Sequence, residues 1–185
     1  DVGLALTAAS SKTDQQDIAR ILAESGRDGF LAAWLRERGV DLTRYIGSHP
    51  LAGRERGGAI SARADIFIGR PWVVCRDRET RAADLAVVEG LILDLGATPI
   101  EMSPEEHDHS VALVSHVPQL VASLLAGRFV EAPEGSLRLA GQGVRDTTRI
   151  AASAPELWVQ ILGANAAPVV DVLDELAADL TQVAD

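Results

Sequence analysis

Four histidines and a small set of arginines carry most of the chemistry this chain offers. His49 lies in Gly47-Ser48-His49-Pro50-Leu51-Ala52-Gly53-Arg54-Glu55, His107 follows the pair Glu105-Glu106, and His116 sits inside an apolar run from Val111 to Leu125. Imidazole is the side chain best suited to exchanging protons near neutral pH, so each of the three is a candidate acid or base. For His116 a plain core histidine satisfied by a carbonyl is an equal reading, and His109 reads as exposed. Glu106-His107-Asp108-His109 contains ligand-type residues, but neighbours on a helix point apart and His107 with His109 lacks the i, i+4 spacing of a paired-imidazole site, so no metal is expected. Cys75 falls in an apolar strand and no serine occupies a nucleophile elbow, which argues against covalent catalysis. The second candidate segment runs from Ala140 to Ser153. Arg145 and Arg149 are four apart, and Asp146 is three before Arg149, a spacing at which a salt bridge holds a guanidinium ready for a carboxylate. A solvated, charged helix end is the competing reading. Gly141 and Gly143 begin a G-x-G-x-x-G pattern, but Asp146 stands at its last position and no strand precedes it, so no dinucleotide fingerprint is read there.

The elements that must position these groups follow from composition and periodicity. The 185 residues are 47% hydrophobic and 24% charged, enough for one well-buried core. Lys plus Arg number 17 against 27 Asp plus Glu, a formal net charge of −10, which makes nucleic acid and anionic membrane surfaces poor partners. Lys12 is the one lysine, so an anionic substrate must be held by forked arginine contacts. The apolar run at 111–125 is broken by Ser115, His116, Pro118, Gln119 and Ser123, and no membrane span is expected. With a single cysteine and no signal-peptide pattern, a cytoplasmic setting is expected. Thr13 to Gly39 reads as two short helices, and Tyr45 to Gly58 as a glycine-rich loop. Ile66–Ile68 and Trp72–Cys75 read as two short strands. Arg81 to Leu95 reads as a helix with an apolar face at Leu85, Val88, Leu91, Ile92 and Leu95, capped by Gly96. After a brief strand at Thr98–Met102, Ser103-Pro104-Glu105-Glu106 opens a helix reaching about Leu125 and kinked at Pro118. A short helix at Val144–Ala152, another opening at Ser153-Ala154-Pro155-Glu156, and an amphipathic final helix complete a mainly α chain with a few short strands. Parallel βαβ alternation is not expected.

Three motifs then coincide in order: Gly-Ser-His-Pro-Leu-Ala-Gly-Arg-Glu at 47–55, Glu-His-Asp with Ser-His-Val-Pro-Gln at 106–119, and Gly-Val-Arg-Asp-Thr-Thr-Arg-Ile-Ala-Ala-Ser with Pro-x-Leu-Trp at 143–158. From about Arg44 onward the chain resembles prephenate (arogenate) dehydrogenases, in their C-terminal helical substrate-binding and dimerisation domain. The resemblance implies two segments: a helical 1–43, as a remnant or replacement of the nucleotide-binding domain, and a family-like helical domain at 44–185. It also implies an interleaved homodimer. The implied activity is NAD- or NADP-dependent oxidative decarboxylation of a cyclohexadienyl acid in tyrosine biosynthesis. His49 and Ser10 would be catalytic, His49 accepting the ring-hydroxyl proton. Arg149 would clamp the ring carboxylate, steadied by Asp146. Glu55, His107, His116, Gln142 and Trp158 would complete the substrate site, Trp158 reaching across to the partner subunit's substrate. The N-terminal Rossmann domain and its glycine fingerprint are not expected in this chain, so no cofactor-binding residue is assigned. Two other readings stay open: a cofactor-independent enzyme using the same pocket for proton transfer, elimination or cyclisation, and a non-catalytic dimerising module that binds a small ligand.

Overall fold

The structure is a computed structural model and describes residues 37–39, 42, 45–53, 63–76 and 80–185. The helices expected between Thr13 and Gly39 therefore lie almost entirely outside the described residues, as do Ser10, Glu55 and the expected junction at 43/44. The described chain is mainly helical, with one small sheet, and divides into two units, one ending at Asp108 and the other beginning at His109.

The first unit is built on a three-stranded sheet of β1 (Gly47–Pro50), β2 (Pro71–Cys75) and β3 (Thr98–Met102), in that spatial order. β1 runs antiparallel to β2 with His49 opposite Val73, and β3 runs parallel to β2 with Val73 opposite Ile100. The parallel pair is joined by the helix α1 (Ala82–Asp94). A βαβ crossover is thus present, contrary to the expectation from sequence. It escaped notice because β3 carries Pro99 and Glu101 and does not show the continuous apolar run typical of a buried parallel strand. Two further expectations are corrected. Ile66–Ile68 forms turns rather than a strand, and the glycine-rich segment expected to be a loop contributes β1, where Pro50 is tolerated at a sheet edge.

β2 is central because its Val73 and Val74 fill both faces of the sheet, and Val74 is fully buried with Leu85, Ile92 and Ala97. Phe67 and Trp72 close this core with ring centroids 5.0 Å apart. Of the apolar face expected on α1, Leu85 and Ile92 are buried and Val88 partly so, while Leu91 and Leu95 are exposed. The helix stops as its sequence dictates. Gly96 adopts φ +75° and donates to the Leu93 carbonyl, and Ala97 donates to that of Ile92, a Schellman closure that only glycine enters without strain. The turn delivers the chain straight into β3.

α2 (Pro104–Val111) starts immediately after β3. The reciprocal cap is complete: the Ser103 Oγ accepts from the Glu106 amide at 3.1 Å, and the Glu106 carboxylate accepts from the Ser103 amide at 2.8 Å. The helical path continues into the second unit through a π turn at Ala112–His116 and then α3 (Val117–Arg128). The kink expected at Pro118 is resolved one residue upstream, where Val117 donates to the Ala112 carbonyl five residues back. The wider turn accommodates a proline that has no N–H to give. The second unit then adds α4 (Glu134–Leu137), α5 (Gln142–Thr148), a 3-10 turn at Arg149–Ala152, α6 (Pro155–Ala164) and α7 (Ala166–Ala184). Its core is Ala112, Val117, Val169 and Val172, flanked by Leu120, Leu162, Leu173 and Leu176.

Pro104–Arg128 is 25 residues long and contains an 18-residue stretch with a mean hydropathy of 1.5, long and apolar enough by length and composition to cross a bilayer, which the sequence reading did not anticipate. Three features give it a different explanation: Ala112 and Val117 pack against Val169 and Val172, His116 and Gln119 are buried on it, and five charged or imidazole groups fill its first turns.

The cap at Gly96 generates a stability prediction. A Cβ there would sit 3.3 Å from the Ile68 Cγ1 on a left-handed backbone. Gly96→Ala is expected to cost about 1–2 kcal/mol in urea unfolding, whereas Gly90→Ala, with open space around its Cβ, is expected to stabilise or be neutral.

Candidate functional site

The first unit brings two of the candidate histidines together although 58 residues separate them. The His49 Nδ1 lies 2.9 Å from the His107 Nε2, and the rings meet edge to face at 5.1 Å. The antiparallel register places His49 in the middle of β1, and the Ser103–Glu106 cap fixes the first turn of α2 from which His107 projects. On its other nitrogen His107 meets a carboxylate: its Nδ1 is 2.9 Å from the Asp108 Oδ1. The His107 side chain is mostly buried, 14% exposed, and that of Asp108 is 33% exposed, so this hydrogen bond is shielded from competing water. The sequence reading gave His107 a role in shaping a pocket and gave Asp108 none. The Glu-His-Asp letters were visible, but neighbouring helical side chains are expected to diverge, and only coordinates reveal the carboxylate folding back onto its neighbour.

Around the pair the electrostatics keep other groups neutral. Burial, then the Asp108 and Glu105 carboxylates, push the Cys75 thiol up to about 11, and burial together with Cys75 raises the Tyr45 phenol. Neither ionises near neutral pH.

In the second unit His116 is buried, and its Nδ1 is 3.1 Å from the Asn165 amide nitrogen. An amide NH2 only donates, so the Nδ1 accepts. The Trp158 ring stands edge to face with His116 at 6.2 Å within the same chain. Asn165, at the junction of α6 and α7, and Gln119, buried on α3, are polar residues that the sequence reading left without a role. Gln119 donates to the Ile150 carbonyl at 3.0 Å, and Ser153 Oγ donates to the same carbonyl at 2.8 Å. Together they pin the 3-10 turn that begins with Arg149. A lone glutamine in an apolar helix was the available signal.

Arg149 and Arg145 are both exposed. The expected ion pair is corrected: Asp146 accepts from the Gln142 amide at 2.7 Å, and among the described residues no ion pair joins it to Arg149. The reason is local. α5 ends at Thr148, with φ −105° and ψ −1°, so Arg149 begins the 3-10 turn outside the helix that carries Asp146. Gln142 and Asp146 remain stacked at i, i+4 inside α5, where the helical phase is intact.

Among the described residues, Gly141 is the N-cap of α5 and Gly143 lies in its first turn, with Asp146 at the last position of the glycine pattern. Arg81, which immediately precedes α1, is paired with Asp84 in the first turn of that helix.

Residues 103–185 match the family model described as prephenate dehydrogenase, dimerization domain. Residues 31–101 match that described as prephenate dehydrogenase, nucleotide-binding domain. The chain belongs to the prephenate dehydrogenase family. The sequence reading expected no Rossmann domain beyond a remnant or replacement at 1–43; the second match shows that part of the nucleotide-binding domain is present at 31–101, a region that takes in β2, α1 and nearly all of β3. The chain is 40% identical over 146 residues to the probable prephenate dehydrogenase NovF of Streptomyces niveus, covering 78% of this chain and 40% of that protein. It is 36% identical over 142 residues to cyclohexadienyl dehydrogenase of Zymomonas mobilis, covering 75% and 48%. Among solved structures, prephenate dehydrogenase from Aquifex aeolicus in complex with hydroxyphenyl propionate and NAD+ aligns with a TM-score of 0.74 at 28% identity, over 85% of this chain and 55% of that one. The chain spans less than half the length of the curated relatives it matches.

The raised Cys75 gives a direct check on this environment. From 9.0 to about 11 the thiolate fraction at neutral pH falls about hundredfold. Iodoacetamide is expected to label Cys75 in the folded chain at least that much more slowly than in the urea-unfolded chain, and equal rates would contradict the site's electrostatics.

Proposed function

We propose that this chain carries the substrate-binding part of a dehydrogenase that oxidatively decarboxylates a cyclohexadienyl acid of the prephenate or arogenate type. The observation that carries the reading is the hydrogen-bonded His49–His107 pair, buttressed by Asp108. It is an imidazole held in one orientation, which is what removal of a hydroxyl proton requires. In such a substrate the loss of carbon dioxide generates an aromatic ring, so the thermodynamic drive resides in the substrate itself. What the protein has to add is proton removal, orientation and an acceptor for the hydride.

His49 accepts the ring-hydroxyl proton, and His107 supports it. Arg149 holds a carboxylate of the substrate with a bidentate fork, its turn fixed by Gln119 through the Ile150 carbonyl. Gln142 and Asp146 lie on the preceding helical turn, and His116 with Trp158 form a second aromatic group in the helical unit. Ser10 and Glu55 keep the roles that the family implies for them. NAD or NADP, the hydride acceptor, is proposed from the match to the nucleotide-binding domain model and from the NAD+ bound by the Aquifex aeolicus relative. A homodimer is proposed from the match to the dimerization domain and from the apolar side chains that the long helix leaves exposed, Leu113, Val114, Val121 and Leu124.

Titration calorimetry with prephenate, and separately with NAD+ and NADP+, tests the reading. Arg149→Ala is expected to weaken prephenate binding about tenfold to hundredfold, as for a lost charge-assisted hydrogen bond of about 1.5–3 kcal/mol. His49→Ala is expected to hold affinity within a few-fold and to remove oxidative decarboxylation. Unchanged binding in the first variant and unchanged turnover in the second would overturn the assignment.

A further inference from the structure

We propose that Asp108 is a positioning residue that dictates which nitrogen of His49 is basic, acting through His107. The inference rests on the proposed role of His49 and adds a residue and a proton arrangement to it.

The hydrogen bonds form a chain whose polarity can be worked out from one end. An ionised carboxylate only accepts, so the His107 Nδ1 facing Asp108 at 2.9 Å carries the proton. A neutral His107 is then unprotonated at Nε2. That nitrogen faces the His49 Nδ1 at 2.9 Å and accepts from it. The His49 Nδ1 therefore carries a proton, and its Nε2 is the nitrogen with the lone pair. The opposite tautomer of His107 would set two acceptors against each other at the Asp108 end. One carboxylate thus orders two imidazoles in series, the way a buried carboxylate fixes a single histidine in a catalytic triad.

The same chain stabilises the product of proton uptake. A proton arriving at the His49 Nε2 makes an imidazolium, and the proton shared between His49 and His107 can move toward His107, carrying the positive charge to the carboxylate. The hydroxyl O–H bond breaks as the His49 Nε2–H bond forms, and one proton enters the chain for each hydroxyl deprotonated. Among the described residues, the Asp108 and Glu105 carboxylates of α2 act on the Cys75 thiol of β2 and help it keep its proton, Cys75 in turn acts on the Tyr45 phenol, and Asp108 is in hydrogen-bond contact with His107.

Long-range proton–nitrogen NMR of the 15N-labelled full chain reads the tautomers without substrate. In the parent, both His49 and His107 are expected to carry their proton on Nδ1. In Asp108→Asn the amide can donate to the His107 Nδ1, which reverses the chain and leaves the His49 Nε2 protonated. The pH at which His49 takes up its second proton is expected to fall by about one unit with loss of the carboxylate. Asp108→Glu is expected to restore the parent tautomer at least in part. In His107→Gln, whose side chain retains an acceptor for His49, adding Asp108→Asn is expected to change neither tautomer nor titration, because the connection is cut. Parent His49 protonated on Nε2, or a His49 tautomer and titration unmoved by Asp108→Asn in a folded variant, would overturn the proposal. That result would leave prephenate binding intact, whereas failure of prephenate to bind would sink the substrate assignment and leave the proton chain standing.

Discussion

The reciprocal bond between Ser103 and Glu106 is the constraint on which the candidate site depends. β3 ends at Met102 and α2 begins at Pro104, so a strand is converted to a helix within a single residue. Two of the orphan amides at that junction, those of Ser103 and Glu106, are satisfied by side chains of the same two residues, and the proline needs no partner at all. The helix therefore cannot slide or rotate on the end of the sheet without losing its cap. His107 and Asp108, one turn in, inherit that rigidity. The other half of the site is fixed by the antiparallel register, which puts His49 across from Val73 on the central strand. Two hydrogen-bonded frameworks, a cap and a ladder, hold imidazole against imidazole at 2.9 Å.

The helical unit handles polarity differently. It buries His116, Gln119 and Asn165 among aliphatic side chains and gives each a partner. An unpaired amide or imidazole in such surroundings would cost about 1–3 kcal/mol, so these bonds are obligatory once the residues are buried. The π turn at Ala112–His116 belongs to the same pattern. The turn lies directly before Pro118, which has no N–H to give, and His116 is its last residue.

Family membership follows from both halves of the described chain. The sheet with its parallel crossover falls within the region that matches the nucleotide-binding domain, and the helices from residue 103 onward match the dimerization domain. The division between the two compact units, at Asp108 and His109, lies a few residues beyond the boundary between those matches. His107 and Asp108 are thus the last residues of the first unit, on the helix that begins at Pro104, and His49 meets them from β1.

Helix starts and stops were legible from the letters alone, since they depend on interactions within a few residues: Ser103 and Glu106 at one terminus, Gly96 at another, Pro155 at a third. The histidines and Arg149 were legible as chemical candidates because imidazole and guanidinium have few rivals for proton exchange and carboxylate binding. The parallel pairing of β2 with β3 was not, because strand pairing is a long-range choice and β3 lacks the apolar run that would signal it. Nor was the partner of Asp146, which depends on where the α-helix gives way to a 3-10 turn. The contact between His49 and His107 was also beyond the sequence. Fifty-eight residues separate them, and only the sheet register and the cap, acting together, bring a strand and a helix terminus to hydrogen-bonding distance.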